Sequence, residues 1–168
     1  MARRIEHLTT ASWPADRVHH ALVDPTYLRD RLAAIGGVGA ELVAHNAANG
    51  TVAYQLRQGV PAAELPSMAR SFLGGDLVIK RVETWRTAGD GYEGTFEATI
   101  NGVPGEVTGT MSLADTGSGG SELALRGQAR VGIPLVGGKF EELIVEQVGK
   151  LLDKEAAFTM SWLAEHPS

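Results

Sequence analysis

Apolar residues fall at alternate positions through most of the middle of the chain, and at spacings of three and four near its start and over its last 30 or so residues. Arg3 to Thr10 has extended character and predicts a first strand. Ser12 then precedes Trp13-Pro14-Ala15-Asp16, a hydroxyl residue followed by proline with an acid in the first turn, which predicts a helix start. Val18, Ala21 and Leu22 share one face of that helix, which runs to Val23. Asp24-Pro25 breaks it and opens a second, with Leu28, Leu32 and Ile35 on one face and Gly36-Gly37 at its end.

From Gly39 the period shortens to two. Leu42 and Ala44 alternate with Glu41 and Val43, Asn49-Gly50 supplies a hairpin turn, and Val52, Tyr54 and Leu56 alternate after it. Pro61 to Gly75 lacks a clean period and predicts a long loop with one short helical turn. Asp76 to Arg86 resumes as a strand, turned by Gly89-Asp90-Gly91. Three strands follow, each with one apolar and one polar face. Tyr92, Phe96, Ala98 and Ile100 oppose Glu93, Thr95, Glu97 and Thr99; Val107, Met111 and Leu113 oppose Glu106, Thr108 and Thr110. Leu123, Leu125, Ala129 and Val131 oppose Glu122, Arg126, Gln128 and Arg130. This is an antiparallel meander with one solvated side.

A long helix closes the chain. Gly137-Gly138 precedes it, and Phe140, Ile144, Val148, Leu151, Phe158 and Trp162 recur at helical spacings. About 28 residues at 1.5 Å each span roughly 42 Å. Seven strands about 4.8 Å apart make a sheet roughly 34 Å wide. One helix can therefore cross the whole sheet.

Composition narrows the function classes. At roughly 150 residues per domain, 168 residues predict one domain over 1–168. The charge of −5 argues against nucleic-acid binding. The absence of cysteine removes disulfides, thiolate nucleophiles and thiolate metal sites. No run reaches the ~18 apolar residues of a membrane span, and Met1-Ala2-Arg3-Arg4-Ile5-Glu6 lacks a signal-peptide stretch, so a cytoplasmic location without an integral membrane segment is expected. Glycine is the departure from the norm, with 21 residues of 168; the usual share is about 7%. Gly94, Gly105, Gly109 and Gly127 lie on the apolar parity of the meander. They can serve sheet curvature, or they can leave unfilled volume between sheet and helix, and the two are compatible.

The order of one strand, two short helices, six antiparallel strands and a long C-terminal helix resembles the α+β helix-grip fold of the START and birch-pollen-allergen-like superfamily. The texture is similar to an uncharacterised actinobacterial family within it. Trp13-Pro14-Ala15-Asp16, the strand Val78-Ile79-Lys80-Arg81-Val82-Glu83-Thr84-Trp85 and Gly132-Ile133-Pro134-Leu135-Val136-Gly137-Gly138-Lys139-Phe140-Glu141 carry the likeness. The resemblance implies a seven-stranded curved sheet with a cavity beneath the long helix. Superfamily members bind lipids, sterols, plant hormones or polyketides there; some are cyclases and others co-chaperones.

Candidate chemistry is sparse. His7, His19, His20, His45 and His166 do not show metal-ligand spacing, and Gly117-Ser118-Gly119-Gly120-Ser121 reads as a hairpin turn rather than a nucleophile elbow. No catalytic motif, metal or cofactor is expected. Leu77, Ile79, Arg81, Glu83 and Trp85 share one strand face, with Val78, Val82 and Thr84 on the other. If the Trp85 face turns inward, Arg81 and Glu83 are paired charges in an apolar cavity. The plainer reading is an exposed ion pair with Trp85 at a rim. Tyr54 reads as a core tyrosine with a satisfied hydroxyl. The candidate ligand-binding positions are Tyr54, Arg81, Trp85, Phe96 and Met111 with Gly109 and Gly127 on the sheet, and Ile144, Val148 and Leu151 on the helix. The expected function is binding of a hydrophobic small molecule, with a polyketide cyclase or dehydratase and a protein-interaction module as alternatives; no protein partner is identifiable.

Overall fold

The computed structural model describes residues 2–167. Its elements are β1 (Arg3–Ala11), α1 (Ala15–Leu22), α2 (Pro25–Ile35), β2 (Glu41–Ala48), β3 (Thr51–Val60), a 3-10 turn (Ala62–Glu64), α3 (Ser67–Leu73), β4 (Leu77–Ala88), β5 (Gly91–Ile100), β6 (Gly105–Asp115), β7 (Ser121–Val131) and α4 (Gly137–Glu165). The strands form one antiparallel sheet in the order β1-β7-β6-β5-β4-β3-β2. Helices α1 and α2 carry the chain from one sheet edge to the other. The meander then returns until β7 pairs with β1. This is the helix-grip architecture that the resemblance implies.

Several local features follow from chemistry beyond the apolar periods. Ser12 does not cap α1. Asp115, at the end of β6, accepts from the Ala15 N–H at 2.7 Å and holds the helix start against the sheet. Asp24 caps α2 locally, accepting from Thr26 N–H at 2.8 Å, with Pro25 in the first turn. The predicted loop over 61–75 contains more order than one turn. In α3, Ala69 joins Leu65, Val131 and Phe140 in a small core beside the main one. The apolar contacts are tertiary, so local periodicity over seven residues does not show them.

The main core lies between the concave sheet face, α1, α2 and the C-terminal half of α4, with Tyr27, Leu28, Trp85 and Leu163 almost fully buried. The inward glycines decide between the two readings of their role. Phe96 pairs with Gly109 across β5 and β6, and Gly109 pairs with Gly127 across β6 and β7. A Cβ on Gly109 would lie 2.5 Å from the Phe96 ring and 2.2 Å from the Arg126 carbonyl oxygen. One on Gly127 would lie 2.7 Å from the same ring. The Phe96 ring thus occupies the space that both side chains would fill. Of the readings left open for Gly109 and Gly127, unfilled volume is not what their backbone meets: they let the Phe96 ring lie against the sheet, and neither borders a cavity as a candidate ligand-binding position would.

Gly109→Ala or Gly127→Ala is therefore expected to destabilise the fold by about 1–3 kcal/mol, the usual scale of overpacking. Gly149→Ala, in the middle of α4 with nothing within 4 Å of a Cβ, is expected to stabilise it, by up to about 1 kcal/mol from helix propensity. Urea unfolding of the three variants checks both signs.

Candidate functional site

Strand alternation turns Arg81, Glu83 and Trp85 to the same face, and that face is inward: Trp85 and Glu83 are buried at 1% and 3% exposure. The exposed ion pair that the sequence favours is thus replaced by a buried one. Its cause is register and partner supply. Tyr54 on β3 lies opposite Glu83 and donates its hydroxyl to Glu83 Oε1 at 2.5 Å. Arg81 Nε donates to Glu83 Oε2 at 2.6 Å. On α4, Glu155 accepts from Arg81 Nη1 and Nη2 at 2.7 and 3.0 Å, a two-pronged contact. Gln58 Oε1 takes a longer 3.4 Å bond from Arg81 Nη1.

A second set of groups reaches the same place from α2. Tyr27 and Arg31, one helical turn apart, both point into the interior. Thr159, one turn beyond Glu155, donates to the Glu155 carbonyl oxygen at 2.7 Å and so accepts from Tyr27 hydroxyl at 2.5 Å. Arg31 Nη1 lies 3.8 Å from Glu155 Oε1 and 3.5 Å from Tyr27 hydroxyl oxygen. Burial would raise the Glu155 carboxyl, but the Arg31 and Arg81 guanidiniums outweigh it and hold its pKa at about 2. Burial would likewise neutralise Arg81; Glu155 and Glu83 keep it charged. Burial and the Glu83 charge push the Tyr54 phenol well above its ordinary range.

This network stands between two chambers that share Arg81, Glu83, Leu125 and Leu152 as walls. The first, of about 60 Å³, is bordered by Arg31, Tyr54, Trp85 and Met111. The second, of about 90 Å³, is bordered by Phe96 and Val107 from the sheet and Ile144, Val148 and Leu151 from α4. Eight of the ten sequence-derived positions thus face one chamber or both, while Gly109 and Gly127 face neither. The histidines are apart from one another in role: His7 Nε2 meets Asp153 at 2.9 Å, His45 Nε2 meets the Val23 carbonyl at 2.7 Å, and His19 stacks on Tyr92.

A family model described as a protein of unknown function (DUF2505) matches residues 6–163. The chain belongs to this family. A relative within reach of sequence comparison, the uncharacterized protein Rv0481c of Mycobacterium tuberculosis, is 32% identical over 168 residues, covering 90% of this chain and 91% of that one. Among solved structures, the Zhui aromatase/cyclase from a Streptomyces species superposes with a TM-score of 0.63 at 16% identity, covering 99% of this chain and 98% of that one. Norcoclaurine synthase from Thalictrum flavum, in complex with dopamine and hydroxybenzaldehyde, gives 0.62 at 15% identity over 100% of this chain and 90% of that one. A START superfamily protein from Mycobacterium smegmatis gives 0.57 at 12% identity over 96% and 97%. At these identities the likeness fixes the fold of this DUF2505 member and nothing finer.

Sequence reasoning missed Arg31, Gln58, Glu155 and Thr159. Two of these carried a readable signal in this DUF2505 chain. Glu155 sits four residues after Leu151 and seven before Trp162, an acid on the apolar stripe of α4. Arg31 sits three after Leu28 and four before Ile35, a base on the apolar stripe of α2. A charge of each sign on two inward helix faces points to a buried pair.

Removing one member of a buried ion network leaves the others uncompensated, so Glu155→Gln is expected to cost about 3–5 kcal/mol. Glu146→Gln, on the exposed side of the same helix, should change stability by less than about 0.5 kcal/mol. Because folding depresses the Glu155 pKa from 4.5 to about 2, its contribution is complete above pH 4.5 and is lost as pH falls toward 2. Urea midpoints at pH 7, 4 and 3 should fall more steeply for the wild type than for Glu155→Gln.

Proposed function

We propose that this protein binds a hydrophobic small molecule between α4 and the concave face of the sheet. The observation that carries the reading is the second chamber. Its lining is almost wholly apolar, yet Ile144, Val148 and Leu151 on the inward stripe of α4 are only half-buried. Packed interiors leave few such gaps. The solved neighbours lend support: one is an aromatase/cyclase, and another holds dopamine and hydroxybenzaldehyde.

Size constrains the ligand. A dry cavity of about 150 Å³ takes up one benzene, so either chamber alone holds less than that. A molecule of a few hundred daltons requires the middle of α4, over 144–152, to move outward. Both ends of α4 are anchored, by Phe140 and Glu141 at its start and by Trp162 and Leu163 near its end, while Ile144, Val148 and Leu151 between them are only half-buried. The groups in the chamber walls with acid–base capacity are mutually engaged: Glu83 commits both oxygens, to Arg81 and Tyr54. This favours binding over proton transfer and places the cyclase reading second.

Titration with the environment-sensitive dye N-phenyl-1-naphthylamine is expected to show saturable fluorescence enhancement at one site per chain. Val148→Trp, at a half-buried position, should fill the second chamber and weaken dye binding at least tenfold while leaving the far-UV circular dichroism unchanged. Equal binding by the folded variant would move the site elsewhere.

A further inference from the structure

Two residues that line the first chamber, Arg31 and Trp85, carry buried hydrogen-bond donors that nothing among the described residues accepts. Arg31 is 4% exposed, and its Nε and Nη2 have no partner among the described residues. Trp85 Nε1 is in the same condition, at 1% exposure. Both residues line the first chamber. Leaving a buried donor unmet is costly, and more so on a charged group. The carboxylates nearby make no hydrogen bond to these nitrogens. Glu83 is taken by Arg81 and Tyr54, while Glu155 makes its close two-pronged contact with Arg81 and stands 3.8 Å from Arg31 through Nη1.

Nε and Nη2 form one edge of a guanidinium, with two N–H bonds directed side by side. That edge matches the two oxygens of a carboxylate. Nη1, the nitrogen outside this edge, is the one turned to Tyr27 and Glu155. Arg31 is thus anchored by one nitrogen and presents its fork unused. The Trp85 indole is a further buried donor on a residue lining the same chamber, again with no acceptor among the described residues.

We infer that the first chamber is the head-group subsite of the hydrophobic-ligand cavity, and that it selects ligands ending in a carboxylate, held by Arg31 Nε and Nη2 and by Trp85 Nε1. The inference rests on the cavity-binding reading and names the ligand's chemical class. The apolar tail then lies past Arg81 and Leu152 in the second chamber. The four charged groups already present, Arg31, Arg81, Glu83 and Glu155, sum to zero. A bound carboxylate is therefore selected by the vacant fork rather than by net charge.

The test compares octanoate with 1-octanol at pH 7, which share a chain length and differ in the head. Proton–nitrogen correlation spectra of the wild type report the Arg31 Nε–H and Trp85 Nε1–H directly. Octanoate is expected to shift both downfield, to bind at least tenfold tighter than octanol, and to move the methyl signals of Ile144 and Val148. Arg31→Met should bring octanoate down to the octanol affinity while octanol changes less than threefold. Arg31→Lys keeps a charge opposite Glu155 but lacks the fork, and should also lose most of the preference. If octanoate and octanol bind alike and move the methyls without moving the two N–H signals, water alone meets these donors; the inference is then overturned and the cavity reading stands. If neither ligand moves the methyl signals, both fail.

Discussion

The Arg81 guanidinium is the fixed point of this structure. It lies between Glu83 on its own strand and Glu155 on α4, and through Glu83 it reaches Tyr54 on β3. Helix α4 packs on β1 and β7 and against α1 and α2. Toward β4, the Arg81–Glu155 pair spans the space between helix and sheet. A grip made only of apolar contacts could close onto the sheet wherever side chains fit. Two long charged side chains meeting end to end set a distance, and the distance keeps room beneath the helix.

The same pair explains why the interior is divided. Taking charges out of water is unfavourable unless each finds its full set of partners. Arg81 does: its contacts fill its fork and bring Glu83 and Glu155 together. The network then forms a polar partition, with a chamber that is apolar apart from Gln58, Arg81 and Glu83 on one side and a chamber of mixed character on the other. Arg31 enters the chamber of mixed character from α2, where Glu155 holds Arg81 in the closer, two-pronged contact. Arg31 Nε and Nη2 are left without an acceptor among the described residues.

The fold was legible because its strands alternate cleanly and its last helix carries an unbroken apolar stripe. Element order, the antiparallel meander and the length of α4 follow from those periods, while the single seven-stranded sheet was what the resemblance implied. The site was legible in part. Val148 and Leu151 could be placed because an amphipathic helix over a curved sheet has one inward face. Arg81 and Glu83 could be paired but not placed, since parity on β4 allows either face inward and charge argues for the outer one. Only the partners on α4, β3 and α2, remote in sequence, make the inward choice affordable. The inward glycines misled for a related reason. A missing Cβ on a strand does not reveal whether a ring from the next strand covers it, as Phe96 covers Gly109 and Gly127.

The central claim is that the space held open by the Arg81–Glu155 pair is a ligand site. Native mass spectrometry of the protein expressed in a mycobacterial host, followed by organic extraction of the same sample, tests it most directly. The account expects a stoichiometric adduct of at most a few hundred daltons that is recovered in the extract and is absent from Val148→Trp. A bare chain that takes up nothing when the extract of the host is added back would contradict it.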